Sequence, residues 1–341
     1  MPSNAMSASR LFFWFLLSCV LASAQTAAPS GNIALIKDAA EAMAAGNLQK
    51  AETELKTVLA ENPDEYRALN LLGIVRAQQR RESEAEQLFK QAIQQKPDFV
   101  SAHVDLGLLL VQTMRQDDAV VEFKEALRLD PDRNDARSSL LNIWRTQAQG
   151  ALQTGDLEKA LALLIQARKI APQDADVGFE FGMVALRMSL LPDAEQAFQK
   201  VLTLRKDDPK AVYGLGRAQI GLHKFQDARG SFEHYVQLRP KDASGHYAFG
   251  FALQALQQTA EARRQFEQSI DLQPVQTESY FQLGLMDLDE KNLESAGTRF
   301  SRVLERDPKH AGALTGMGRV EFQRKEYEKA VDSLQRAIAS N

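Results

Sequence analysis

The run LGIVRAQQRRESEAEQLFKQAIQQKP, residues 72–97, decides how this chain folds, because its key side chains return along nearly the whole length. Within it, Gly73 is followed by Ala85, Phe89, Ala92 and Pro97 at intervals of 12, 16, 19 and 24 residues. Gly107 stands 34 residues after Gly73, and Gly182, Gly216, Gly250, Gly284 and Gly318 keep that interval. From Gly107 to Gly182 the distance is 75, two periods and seven residues more. Twelve residues after each glycine or its equivalent comes Ala51, Ala85, Ala119, Ala160, Ala194, Ala228, Ala262, Ala296 or Ala330. Four further on stands a large apolar residue: Leu55, Phe89, Phe123, Leu164, Phe198, Phe232, Phe266, Phe300 or Leu334. A proline then closes most blocks, at Pro63, Pro97, Pro131, Pro172, Pro240, Pro274 and Pro308, with Lys206 in its place once.

Each block therefore reads as two helices and a stop. Glycine costs a helix about 1 kcal/mol relative to alanine, so its recurrence marks a place where a second helix approaches closely. Ala, Phe and Ala at i, i+4 and i+7 make one buried stripe on that second helix. Proline cannot continue a helix and fixes the turn into the next block. Helices of about 13 residues are marginal alone, so each block needs its neighbours.

The Leu72, Gly73, Ala85, Phe89, Ala92 and Pro97 pattern resembles the tetratricopeptide repeat family over residues 32–341. The resemblance implies an all-α fold, a right-handed α-solenoid superhelix of about nine tandem helix-turn-helix repeats. It also implies a binding architecture, although such a fold by itself names no partner. Blocks one to three occupy 32–132 and blocks four to nine 133–341. Seven extra residues near 133–140 open the fourth block, whose glycine position is Ala148. Seven residues are nearly two turns, so they fit a lengthened helix that keeps its phase, or a joint between the two groups of repeats.

Composition agrees with a folded chain: 44% of residues are apolar, 25% are charged and the net charge is −4. There is no basic excess of the kind nucleic acid recruits, and no nucleic-acid partner is expected. The first residues stand apart. Arg10 precedes an apolar run over 11–17, and Ala22, Ser23 and Ala24 give a small-x-small cleavage pattern, so 1–24 reads as an export signal and 25–31 as a linker. The run is too short for a bilayer, and the mature chain is expected to have no membrane span. Leu16, Leu17, Ser18 and Cys19 also resemble a lipobox, in which Cys19 would be lipidated. The expected location is the periplasm or the exterior, free or anchored as a lipoprotein. Cys19 is the only cysteine, which leaves no disulfide and no cysteine metal site.

No catalytic constellation accompanies the repeats: there is no GxxxxGK[ST] loop, GxSxG elbow or HExxH helix, and no enzymatic activity is expected. The glycine doublets Gly214 with Gly216 and Gly316 with Gly318 lack a third glycine and read as packing glycines. His103, His223, His234, His246 and His310 show no ligand spacing, so neither a metal nor another cofactor is expected.

In the family the first helix of each block lines the concave surface. The positions three before, one after and four after the glycine share one face of that helix. The first of them reads Ile36, Asn70, Val104, Arg145, Phe179, Tyr213, Tyr247, Phe281 and Thr315, so blocks five to eight repeat an aromatic. The next reads Met183, Arg217, Phe251 and Leu285 in those blocks, followed by Leu186, Ile220, Gln254 and Leu288. A second apolar stripe on a surface helix implies another surface to meet, whether a partner or neighbouring helices of the stack. The basic cradle with which some relatives grip an acidic C-terminus is missing, since the first blocks offer Ile36, Ala40, Asn70 and Ile74.

The expected function is thus a protein-interaction scaffold of the cell envelope that binds an apolar peptide or helix through Phe179, Met183, Tyr213, Arg217, Tyr247, Phe251, Phe281 and Leu285, with Arg217 and Arg319 adding polar selectivity. The alternative is a glycan-binding scaffold for polysaccharide export, because spaced aromatics stack on sugar rings. The last block carries an apolar end around Met317, Val320, Val331 and Ile338, a candidate self-association surface.

Overall fold

The computed structural model describes residues 30–340. The export signal, the lipobox at Cys19 and most of the linker lie outside those residues. Eighteen helices follow one another in nine pairs, with no strand among the described residues. By contacts the chain divides into two compact units, 1–171 and 172–341. The first contains α1 Ser30–Ala44, α2 Leu48–Glu61, α3 Tyr66–Gln78, α4 Glu82–Gln95, α5 Val100–Gln112, α6 Gln116–Leu129, α7 Asn134–Gln153 and α8 Leu157–Ile170. The second contains α9 Ala175–Arg187, α10 Leu191–Leu204, α11 Pro209–Gly221, α12 Phe225–Leu238, α13 Ala243–Ala255, α14 Thr259–Leu272, α15 Thr277–Asp289, α16 Leu293–Arg306, α17 Ala311–Gln323 and α18 Tyr327–Ala339.

The seven extra residues lengthen the first helix of the fourth pair. At 20 residues α7 exceeds the 13 of α5, and Ala136, Leu140, Ile143, Ala148 and Ala151 keep one buried face along it. The division by contacts falls after this pair, between 171 and 172, rather than in front of it.

In six of the nine pairs the core is a second-helix phenylalanine laid against a first-helix glycine. Phe89, Phe123, Phe198, Phe232, Phe266 and Phe300 are fully buried. A β-carbon at Gly73 would stand 2.6 Å from Phe89, and one at Gly216 would stand 2.7 Å from Phe232. Phe198 is held from two sides, since β-carbons at Gly182 and Gly214 would come within 2.9 and 2.6 Å of its ring. The doublets are therefore packing glycines, one serving its own pair and the other the preceding phenylalanine. Leu334 takes the phenylalanine position of the last pair and keeps 38% exposure.

Two kinds of turn alternate. Second helices end on the residue before the proline, as at Asn62, Lys96, Asp130 and Arg239, because the proline ring disfavours the α conformation one residue upstream. First helices end in a left-handed residue seven after the glycine position. Gly46 and Gly155 fill it twice; Arg80, Met114, Ser189, His223, Gln257, Lys291 and Lys325 adopt the same positive φ, between 58° and 64°. After α3 the N–H of Arg80 donates to Ala77 at 3.1 Å and that of Arg81 to Arg76 at 2.9 Å, the bonds that close a helix around a left-handed residue.

Candidate partner-binding face

Within each unit each helix packs on the next, and first helices also meet first helices in α1 with α3, α3 with α5, α5 with α7, α9 with α11 and α15 with α17. First helices thus form a continuous row in the unit 1–171, whereas in the unit 172–341 they meet at its first and last pairs of neighbours; the face expected to bind lies on the first helices of this second unit.

In the unit 172–341 the four ladder aromatics Phe179, Tyr213, Tyr247 and Phe281 are all half-buried. Each leans on the buried phenylalanine of its own pair. The centroid distances are 5.9 Å for Phe179 to Phe198, 5.7 Å for Tyr213 to Phe232, 5.9 Å for Tyr247 to Phe266 and 6.2 Å for Phe281 to Phe300. These are tilted or edge contacts in the favourable range for aromatic pairs. Tyr213 also meets Tyr235 at 4.9 Å, and Phe281 meets His310 at 5.1 Å. Burial raises the Tyr213 and Tyr247 phenols above their ordinary pKa, so both stay neutral at physiological pH. Part of each ladder ring is spent on the core, and part remains on the surface.

Of the remaining site residues, Met183 and Leu285 are half-buried, while Arg217 and Phe251 are exposed. Leu186, Ile220 and Gln254 are half-buried and Leu288 is buried. Arg319 already faces Asp289 at 3.7 Å. In the unit 1–171 the equivalent positions Ile36, Asn70 and Val104 are buried, so the half-open aromatic row belongs to the second unit. A separate cleft of about 670 Å³ with a mixed lining, Leu202, Val212 and Leu215 beside Gln199, Asp227 and His234, lies among α10, α11 and α12. At the last pair Val320 is buried in the core, whereas Tyr327, Val331 and Ile338 are exposed.

Three of the five histidines have structural occupations. His103 sits between Glu122, 2.7 Å from Nδ1, and the Pro97 carbonyl, 3.0 Å from Nε2. His246 repeats this with Gln265 at 2.7 Å and Pro240 at 3.1 Å. Nδ1 of His310 accepts from the Ala313 N–H at 3.0 Å and caps α17. Among the described residues no cluster of three His, Cys, Asp or Glu side chains could hold a metal. No described helix is long and apolar enough to cross a membrane.

Sequence reasoning missed a pair of ionic clips between neighbouring second helices. Arg76, three residues after its glycine, reaches back to Glu52 at 2.8 Å and forward to Glu84 at 3.2 Å. Asp287 holds the same repeat position with opposite charge, accepting from Arg263 at 2.7 Å, Arg299 at 2.6 Å and Ser295 at 2.6 Å. Glu52 and Arg263 are themselves equivalent, each next to the invariant alanine of its block. Burial alone would raise the Asp287 carboxyl, but its three donors outweigh that and hold it below the ordinary range. The available signal was a charged residue, Arg76 or Asp287, in a column that holds Ala42, Leu110, Ala151, Ala185 and Leu253 in five other blocks, with Gln219 and Glu321 in the remaining two.

Two tetratricopeptide repeat models match the chain, one over residues 39–98, 145–209 and 179–243, the other over 76–143 and 287–341. The chain belongs to the tetratricopeptide repeat family. No curated protein matches it. Among solved structures it is similar to MamA, residues 41 to the end, from Desulfovibrio magneticus RS-1. That match is 23% identical with a TM-score of 0.48, over 50% of this chain and 97% of the other. It is also similar to YrrB, described as a TPR protein with an unusual peptide-binding site. There the identity is 26% and the TM-score 0.44, over 52% of this chain and 92% of the other.

Proposed function

We propose that this protein is a non-catalytic scaffold of the cell envelope that captures an apolar peptide or helix of a partner protein on the first helices of the unit 172–341. The observation that carries the reading is the half-buried aromatic at four successive first helices, Phe179, Tyr213, Tyr247 and Phe281. A ring anchored on a buried phenylalanine is held in place before a ligand arrives, which lowers the ordering cost of binding. Phe251 and Arg217 lie exposed on the same face and supply apolar area and a positive charge. Export through the 1–24 signal, with or without lipid on Cys19, places the scaffold in the envelope.

The test is crosslinked pull-down from the native envelope with wild type and two variants. Replacing the four ladder aromatics by alanine should abolish capture of the wild-type partner while helicity stays near normal. Because those rings also support the core, the second variant changes only the exposed pair, Phe251→Ser with Arg217→Ser. It should weaken capture without lowering the melting temperature. Undiminished capture by both variants would sink the proposal.

A second reading, glycan binding during polysaccharide export, draws on the mixed cleft in which Gln199, Gln219, Gln226, Asp227, Ser231 and His234 supply the polar groups. Calorimetry with envelope polysaccharides separates the two, since a peptide-binding row should give no heat.

A further inference from the structure

A polar pair in the unit 1–171 joins two first helices and has no part in the face described above. Asn70 stands on α3 and Asp105 on α5, helices that pack directly on each other. The Asn70 side chain is 4% exposed, and its Nδ2 donates to Oδ2 of Asp105 at 2.7 Å. Its other polar atom, Oδ1, is buried and meets no donor. Interiors rarely leave a carbonyl oxygen in that condition, because it gives up its bond to water and gains nothing. An ionised carboxylate cannot help, being an acceptor only. A protonated one carries an O–H donor, and a carboxylic acid facing a primary amide can close two bonds at once, N–H to oxygen one way and O–H to oxygen the other.

We propose that Asp105 and Asn70 form a proton-gated clasp between the second and third repeats. With a proton from solvent on its carboxyl, Asp105 donates to Oδ1 of Asn70 and two bonds tie α3 to α5. When the proton leaves, only the Nδ2 bond remains and the Asn70 carbonyl is left without a donor.

The surroundings favour the protonated form near neutrality. Burial pushes the Asp105 carboxyl up to about 7, helped by the negative charge of Asp135 and opposed by the Asn70 amide and the positive charge of Arg133. Arg133 is itself bonded to Asp135 at 2.8 Å, which blunts its pull. On α3, Arg76 is held by Glu52 and Glu84, and Arg67 by Glu65. On the flanking second helices, Glu86 of α4 is paired with Lys90 and Arg115, and Glu125 of α6 with Arg128. His103, on the same helix as Asp105, turns to Glu122 of α6.

The sign follows from the two states. An unfolded aspartate titrates near 3.9 (about the ordinary value). The folded chain therefore binds one proton more between that point and about 7. Stability falls as pH rises through the window and levels off above it, so the clasp tightens in acid.

The test uses the full chain. The Asp105 carboxyl carbon, assigned by comparison with Asp105→Asn, is followed by NMR from pH 4 to 9. A midpoint near neutrality is expected, and a midpoint in the ordinary aspartate range overturns the clasp. In parallel, the denaturant midpoints of wild type and Asp105→Asn are compared across the same range. The asparagine is a permanent donor of nearly the same shape, so the wild type should lose stability relative to it as pH rises from 5 to 8. His103 is present in both and cancels in the difference. Parallel curves would count against the clasp, and if Asp105→Asn does not fold, the NMR midpoint alone decides.

Discussion

Gly216 has no room for a methyl group, because a β-carbon there would stand 2.7 Å from two atoms of the Phe232 ring. The neighbour that would have to give is a fully buried ring rather than a flexible chain end. Gly216→Ala should therefore destabilise the protein by about 1–3 kcal/mol despite the better helix propensity of alanine, as overpacked cores do. Denaturant titration reads this directly, and a gain in stability would refute the close packing. His103 gives a second prediction at this scale. Burial lowers its pKa, but the bond to Glu122 and the contact with the Pro97 carbonyl outweigh burial and leave it raised. A raised folded pKa gives stability that is fully present below the unfolded value and is lost as pH rises through the folded one. His103→Gln should flatten the loss of stability above about pH 6.5, the ordinary histidine value.

At the scale of the element, the left-handed turn is where the chain departs from local preference. Met114 has φ 62° and is 81% exposed, so it accepts an unfavourable backbone and packs little in return. A left-handed non-glycine residue costs about 1–2 kcal/mol, and glycine gives back part of that through its greater freedom when unfolded. Met114→Gly should raise stability by about 0.5–1 kcal/mol, a shift visible in the melting temperature. Gly46 and Gly155 already fill this position in the first and fourth pairs.

The clips also belong to the element scale, because they tie one helix to the next. Removing one charge from a buried pair leaves the other uncompensated, and Asp287→Asn faces both Arg263 and Arg299. The expected loss is about 3 kcal/mol, smaller if the half-exposed arginines relax into water. Because the Asp287 carboxyl is held low, its contribution is present above the ordinary aspartate range and fades as the solution is acidified below it. Equal stability of the two proteins at neutral pH would show that the clip sets register without adding free energy.

Within each unit, the extensive contacts of a described helix are with the next helix or the one after it. In such an array a local loss should stay local, since no contact carries it far along the sequence. Phe198→Ala empties a fully buried ring position, for an expected cost of about 3–5 kcal/mol. Hydrogen exchange should show lost protection in α9 to α11, with α17 and α18 of the same unit unchanged. Uniform loss across the unit would mean that it unfolds as one cooperative block.

The 34-residue period by itself determined the nine helix pairs, the buried phenylalanine column, the glycines against it and the stops at proline. These follow from spacing because a helix has a fixed pitch, and a residue type that returns in phase meets the same neighbours each time. Histidine and doublet-glycine roles were legible for the same reason. How much of each aromatic stays on the surface was decided only by the tertiary structure. The period puts Phe179, Tyr213, Tyr247 and Phe281 on one face, but their half-coverage depends on how closely adjacent helices pack. The clips and the Asn70–Asp105 pair were out of reach for a related reason. Each joins side chains from separate blocks, as Asn70 and Asp105 do across 35 residues, and a periodic sequence shows what repeats, not which exceptional residues of neighbouring repeats come within bonding distance.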